Sequence, residues 1–444
     1  MSIIIITVIG IGLVYSGRLV FGAWVNPVSL YTGLWSISLI LFELRLIQYF
    51  DLETETWAII IGAGMAYCIG CFCVVGARYA FLKPTMFDNV GNWSIQKIVS
   101  GDELRLLNMT LWILNIIGMI AVVQYWYVGM KLYGSLQNIF IFGNIIYSKR
   151  IAVGMPGTIP YIDATAMAGA VLAGAYTALT RRLRIVAILP ILIIVLVDIV
   201  NMGRAKMFFG TILYFCSYVA CKDTRKKAAV KNIRYSLNKI IPVIITAAIL
   251  WGGAEFVRST RITNETVPGA TQALGKFSGS YFITPSIYLY LTVHPGVFNQ
   301  FLIRDDEHTP WGSNTFAPAY HILSKFGFET PSSVYQRFYP TPAGANTGTY
   351  LRDLYADFGL PGLFLFPFIL GIIATALWYR YLKTRYYVDL MMLAHILVIV
   401  LMSLFYMATR AGDWFVGLII GLVVGSLVDK KIRRTRVVTG LTKA

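Results

Sequence analysis

The sequence predicts an all-α polytopic membrane protein of about eleven transmembrane helices, in a range of about ten to fourteen, with one large extramembrane loop forming a helical cap. Three observations predict it. Of 444 residues, 57% are hydrophobic and only 13% charged, more apolar than soluble domains. Runs of about 20 apolar residues recur along the chain. The segments between those runs sort by charge, as the loops of a membrane protein do. Lipid offers the backbone no hydrogen-bond partner, so a spanning segment must satisfy itself as a helix. The alternating segments of about 10 residues that would mark a membrane barrel are not found.

Taken in order, "MSIIIITVIG" has no basic leader of the signal-peptide kind and opens the first span, 3–22. Spans 27–48 and 56–76 flank the acidic "DLETET". The third holds "CIGCFC", and Cys68, Cys71, Cys73, Cys216 and Cys221 are the five cysteines. The i, i+3, i+5 spacing does not put three thiolates on one helix face and no histidine is near, so these read as small apolar residues and no metal is expected. Spans 106–130, 157–179, 184–201, 204–221 and 238–256 follow, then 361–382, 387–408 and 412–429. Three regions result: 1–256 with eight spans, a loop over 257–353, and 354–444 with three spans and a basic tail. The loop carries amphipathic stretches near 283–303 and 314–327 around "DDEHTPWGSN" and reads as a cap resting on the outer membrane face. No internal repeat or low-complexity tract interrupts this plan.

The net charge of +17 is mostly topogenic. "KDTRKKAAVKNIR", "TRRLR", "YRYLKTRYY" and the "KKIRRTR" tail fall on one side if the N-terminus is outside and the C-terminus cytoplasmic. That side then holds 23 of the 38 Lys and Arg and the outer side 13, with Arg18 and Arg45 within spans. This is no nucleic-acid footprint.

Ionisable groups at membrane depth are costly and tend to face a cavity and a partner. Glu43, Arg45, Asp163, Asp198, Arg204, Glu255, Arg258, Arg352, Asp353, Asp357, Arg410 and Asp413 all map to outer span ends, with Asp389 the main exception. In "NTGTYLRDLYADFGLPG", Asn346 or Thr347 is expected to cap a short helix over 348–357. Asp353 and Asp357 share its face at i, i+4. Gly359 is expected to end it, and Pro361 to start the span that follows. Arginines at such a boundary suit a phosphate or diphosphate, whose oxygens match the guanidinium fork.

That segment resembles the Asn-x-x-Thr-Tyr…Tyr-x-Asp-Phe-Gly-x-x-Gly stretch of Wzy-type oligosaccharide repeat-unit polymerases (O-antigen polymerases). "GSNTFAPAYHILSKFGF" is similar to a Gly-x-x-Thr-Phe…Leu-x-x-Gly stretch of their large periplasmic loop, and "NMGRAKMFFG" resembles their Arg-containing turn between central spans. The likeness covers 195–440; the first 190 residues match in hydropathy alone. The resemblance implies a GT-C-like glycosyltransferase of the bacterial inner membrane. Its donor and acceptor are undecaprenyl-pyrophosphate-linked oligosaccharides, it uses no cofactor or metal, and a chain-length regulator is a further partner. It also implies roles. Arg204, Arg352 and Arg410, then Arg258 and Arg337, would meet the pyrophosphate; the alternative for each is an ion pair, for instance with Asp198, Asp353 or Asp413. Asp353, Asp357 and Glu255 would serve as base, unless Asp357 caps the Asp-Phe-Gly turn. His308 is either catalytic or part of a solvated turn. Trp311, Tyr339 and Tyr350 either stack on sugars or anchor the membrane interface. An O-antigen ligase-like transferase and a lipid-linked oligosaccharide transporter or flippase remain alternatives. A different lipid-phosphosugar transferase would place acidic residues such as Asp51, Glu53 and Glu55 in the first outer loop.

Overall fold

The computed structural model describes residues 3–81, 101–143, 145–147, 155–222, 252, 267–276, 285–305, 307–327 and 337–438. Every regular element among them is helical; β pairing there amounts to two isolated bridges, Ile47 with Ala270 and Tyr339 with Ala345. The helices are α1 Ile3–Phe21, α2 Pro27–Glu43, α3 Thr54–Phe81, α4 Gly101–Tyr133, α5 Leu136–Ile141, α6 Ala164–Thr180, α7 Ile185–Val200 and α8 Ala205–Cys221. After them come α9 Pro285–Arg304, α10 Ala317–Leu323, α11 Thr349–Thr384, α12 Tyr387–Met402 and α13 Gly412–Val438. Helices α1, α3, α4 and α11 are long and apolar enough to cross a membrane, and α2, α6, α7, α8 and α12 are shorter apolar helices. This is a helical membrane protein.

Each predicted span that falls on described residues coincides with a helix; the one over 238–256 lies outside them except for residue 252. Several boundaries move: α2 ends at Glu43 rather than 48, and α4 and α13 extend beyond their predicted spans to Gly101–Tyr133 and Gly412–Val438. The span expected from 157 becomes helical only at Ala164. The span expected to run to 408 ends as helix at Met402, because the backbone at Ser403 is used elsewhere: its carbonyl accepts from the Tyr350 amide at 2.9 Å. At Gly359 the expectation holds in detail. φ 63° and ψ −156° interrupt α11 there, a conformation open to glycine, and Pro361 stands at the start of the continuation.

The chain forms two compact units, interleaved in sequence. The first gathers Met1–Trp93, Asn264–Ala376 and Ile399–Ala411; the second gathers Ser94–Thr263, Leu377–Val398 and Gly412–Ala444. In the first, Asn26 caps α2 through its side chain at 2.9 Å from the Ser29 amide, and Pro27 fills the first turn. Helices α3 and α11 approach closely at glycines. A Cβ on Gly70 would lie 2.1 Å from the Phe368 carbonyl oxygen, and one on Gly371 would lie 2.2 Å from that of Tyr67. Where lipid removes the hydrophobic drive between helices, such backbone proximity and its dispersion contacts hold them together. Polar ties complete the unit: Asn299 on α9 accepts from the Glu53 amide at 2.9 Å and the Thr56 hydroxyl at 2.6 Å.

In the second unit α6 is the central element. Its run from Ala164 to Thr177 is buried throughout, which its alanines and glycines permit by letting neighbours close in. A Cβ on Gly174 would meet the Tyr214 carbonyl oxygen of α8 at 2.2 Å, and one on Gly169 would meet Pro190 of α7 at 3.3 Å. Asp163, just before α6, receives Lys206 Nζ at 2.6 Å, and the same ammonium lies 3.1 Å from Asp413.

These glycine crossings make a direct prediction. Gly371→Ala should lower the thermal midpoint in detergent by the equivalent of about 1–3 kcal/mol, the cost of overpacking. Gly76→Ala, where nothing stands within 4 Å of the new methyl, should be neutral or stabilising, since alanine is the better helix former.

Candidate functional site

The polar residues of the first unit collect around the first turns of α11. The helix start differs from expectation. Thr349, at φ 66°, makes the turn into the helix and its hydroxyl accepts from the Leu351 amide at 3.2 Å. Asn346 and Thr347, the predicted caps, instead offer their carbonyls, to Arg352 at 2.9 Å and to His294 Nδ1 at 2.9 Å.

Arg352 is 1% exposed. Its Nη2 donates to Glu307 Oε1 at 2.8 Å and Oε2 at 2.6 Å, and Nε to Oε2 at 3.1 Å. Nη1 donates to the carbonyls of Arg337 at 3.1 Å and Asn346 at 2.9 Å. Every nitrogen of the guanidinium is thus committed inside the protein. Burial forces this outcome, since a buried charge stripped of its partner costs about 3–5 kcal/mol. The pairing also corrects two readings of the sequence. Arg352 partners Glu307, not its neighbour Asp353, and it is a strut between α11 and the loops at 307 and 337–346 rather than a group presented to an incoming anion.

Asp353 and Asp357 are likewise occupied. Asp353, 1% exposed, receives Arg410 Nη1 on Oδ1 and the Met407 amide on Oδ2 at 3.0 Å. Arg410 therefore has an internal carboxylate partner. Asp357 accepts on Oδ1 from the Thr309 hydroxyl at 2.8 Å, the Asn314 amide at 3.0 Å and Asn314 Nδ2 at 2.9 Å. Its Oδ2 accepts from the Thr315 amide at 2.7 Å and hydroxyl at 2.8 Å. A carboxylate with that many donors is held as an acceptor for them. Of the two sequence readings of Asp357, the structure has turn-capping, though the turn is 312–316 and not Asp-Phe-Gly. Neither aspartate is placed as a free base.

The loops at 307–316 and 337–346 thus form a collar around the start of α11, and what that collar presents outward is different. The ring of Tyr339, itself fully buried, is flanked by three guanidiniums: Arg352 Cζ at 4.9 Å, Arg304 at 5.4 Å and Arg337 at 6.0 Å from its centroid. Arg304 and Arg337 are exposed, and among the described residues Arg304 has no carboxylate partner. An aromatic face under a guanidinium holds the cation while leaving its in-plane N–H donors available. Arg304 was not legible as a site residue, although its place in the last turn of an amphipathic helix was a usable signal. Glu307, which orders the collar, gave no sequence signal at all.

The remaining expected residues scatter. Tyr350 is fully buried, its hydroxyl 3.0 Å from that of Tyr31, so it does not reach a sugar. His308 is exposed, 3.8 Å from Asp305. Trp311 is exposed and packs edge-on against Phe358 at 5.1 Å. Arg204 belongs to the second unit, half-buried at the N-terminus of α8. Beside it in that unit the sequence reading missed Lys206, the cation that Asp163 and Asp413 share. Glu255 and Arg258 lie outside the described residues. A concavity of about 590 Å³ along the exposed face of α4 is lined by apolar residues such as Ile116, Met119 and Ile120 with only the amides of Asn115 and Gln124, and brings no charged group to a ligand. No family model matches the chain, and no curated protein or solved structure is similar to it.

The Asp357 assignment is checked by stability. Asp357→Asn turns one acceptor into a donor facing donors, and should cost about 1–3 kcal/mol in thermal unfolding. His308→Ala, on an exposed side chain, should stay within about 0.5 kcal/mol.

Proposed function

We propose that the protein polymerises undecaprenyl-pyrophosphate-linked oligosaccharide repeat units at the periplasmic face of a bacterial inner membrane, with its N-terminus periplasmic and its C-terminus cytoplasmic. The observation that carries this reading is the exposed guanidinium pair, Arg304 and Arg337, braced on Tyr339 beside the helix that enters the membrane. In the reaction, a hydroxyl of the incoming unit bonds to the anomeric carbon of the growing chain. The bond from that carbon to the lipid diphosphate breaks, and the diphosphate leaves with the electron pair. The hydroxyl proton passes to water or to the departing diphosphate, since Asp353 and Asp357 have their oxygens engaged. What such a reaction asks of the protein is cationic donors at the developing anion, and guanidiniums supply them without a metal.

This reading redistributes the roles implied by the resemblance. Arg337 keeps its place with the diphosphate and Arg304 joins it. Arg352, Asp353, Asp357, Arg410 and Glu307 act as positioning residues, since each holds a loop and none is offered to substrate. The resemblance of "NTGTYLRDLYADFGLPG" to the polymerase segment supports the same assignment, with the matched residues forming the collar's frame.

Reconstitution with a lipid-pyrophosphate repeat unit tests the proposal, read as a glycan ladder. The wild type should extend the ladder with release of lipid diphosphate. Arg304→Ala with Arg337→Ala should slow it by about 10²–10³-fold, as loss of donors to a developing anion does, at unchanged thermal midpoint. A ladder as fast as wild type from the double variant, or single transfer to a different acceptor in place of a ladder, would contradict it.

A further inference from the structure

The stretch from Trp311 to Gly327 combines two properties that do not suit a water-facing loop. What it buries is small or polar, Ser313, Asn314, Thr315 and Ala317, while its large apolar side chains are displayed. Trp311 is 72% exposed, Phe316 48%, Ile322 53% and Phe326 77%. Contiguous apolar exposure of this kind marks a surface that is covered in the working protein.

Its position identifies the cover. Trp311 rests on Phe358, the residue before the Gly359 break in α11. Immediately past the break, Leu360 and Leu365 are exposed on the part of α11 that is apolar enough to cross a membrane. Through Trp311 and Phe358 the stretch thus adjoins the start of a spanning helix that displays exposed apolar side chains of its own. The local fold keeps it there. Asp357 fixes the 312–316 turn, the Thr309 amide donates to the Ala356 carbonyl at 3.1 Å, and the Tyr320 hydroxyl donates to the Trp311 carbonyl at 2.5 Å. Helix α10 has seven residues and is followed by a single tight turn, Ser324–Phe326, closed by Gly327 at φ 89°. Seven residues cover about 10 Å, far too little to span, so the element lies along the surface. The chemistry around the patch suits a headgroup layer: an indole and a phenol at its edge, and the Lys325 ammonium beside Phe326 for anionic phosphates.

We propose that residues 311–327 form an interfacial belt, seated among the phospholipid headgroups of the bilayer that α11 crosses, with Trp311, Phe316, Ile322 and Phe326 reaching into the acyl boundary. A protein partner could cover the same side chains, but the adjoining start of the α11 span favours phospholipid. The surface is independent of the reaction proposed above, so a failure of either leaves the other standing.

Photo-crosslinking separates the occupants. The full chain, in native membranes, carries p-benzoylphenylalanine in place of Phe326, of Trp311 or, as the reference on the span, of Leu365, which is 58% exposed. Circular dichroism and thermal midpoint of each variant check that the fold is kept. After irradiation, intact-protein mass should shift by one phospholipid at Phe326 and Trp311, as at Leu365. Three results would overturn the proposal: a crosslink to another protein, an adduct with a polyisoprenyl lipid only, or no adduct at 326 and 311 under conditions that label 365.

Discussion

The buried guanidinium of Arg352 is the constraint around which the first unit is arranged. A charge at 1% exposure has to be answered from inside the protein. Answering it draws in Glu307 from one loop and the carbonyls of Arg337 and Asn346 from another, and so ties two loop segments to the first turn of α11. One residue on, Asp353 performs the reciprocal task for the chain after α12, gathering Arg410 and the Met407 amide. One turn further, Asp357 closes the 312–316 segment. Three charged side chains on a single short helical stretch thereby fix three loops that the hydrophobic effect, with lipid on the outside, could not.

This division of labour separates the buried charges that build the site from the exposed ones around Tyr339. The groups with the most saturated hydrogen bonding are the least able to change partners during a reaction. Arg304 and Arg337 are the opposite case. They are exposed and lie against one ring, Cζ 5.4 Å and 6.0 Å from the Tyr339 centroid. In the second unit the half-buried Lys206 between Asp163 and Asp413 again reads as structure, binding the starts of α6, α8 and α13 into one polar end.

Much of the helical architecture was legible in the sequence, because hydropathy over about 20 residues is a strong signal and lipid permits few alternatives. The Gly359–Pro361 break was legible for a local reason, the conformations only those residues favour. Pairing was not. Arg352 and Asp353 are adjacent in sequence, and on a helix adjacent side chains point about 100° apart, so each turned to a different loop. Glu307 lies 45 residues from Arg352, and nothing in "DDEHTPWG" distinguishes it from its acidic neighbours. Arg304 was hidden for the same reason, since its companion Tyr339 sits beyond the second amphipathic stretch. The Asn346 and Thr347 caps failed because the chain enters α11 through a left-handed Thr349, which β-branched residues adopt only when the surroundings impose it.

The claim that one buried ion pair coordinates the collar is tested most directly by hydrogen exchange on Glu307→Gln. Removing that carboxylate charge should raise exchange together at 307–316, 337–346 and 349–354, while α6 and α8 keep their protection. Exchange confined to the residues around 307, with 337–346 and the first turn of α11 unchanged, would contradict the account.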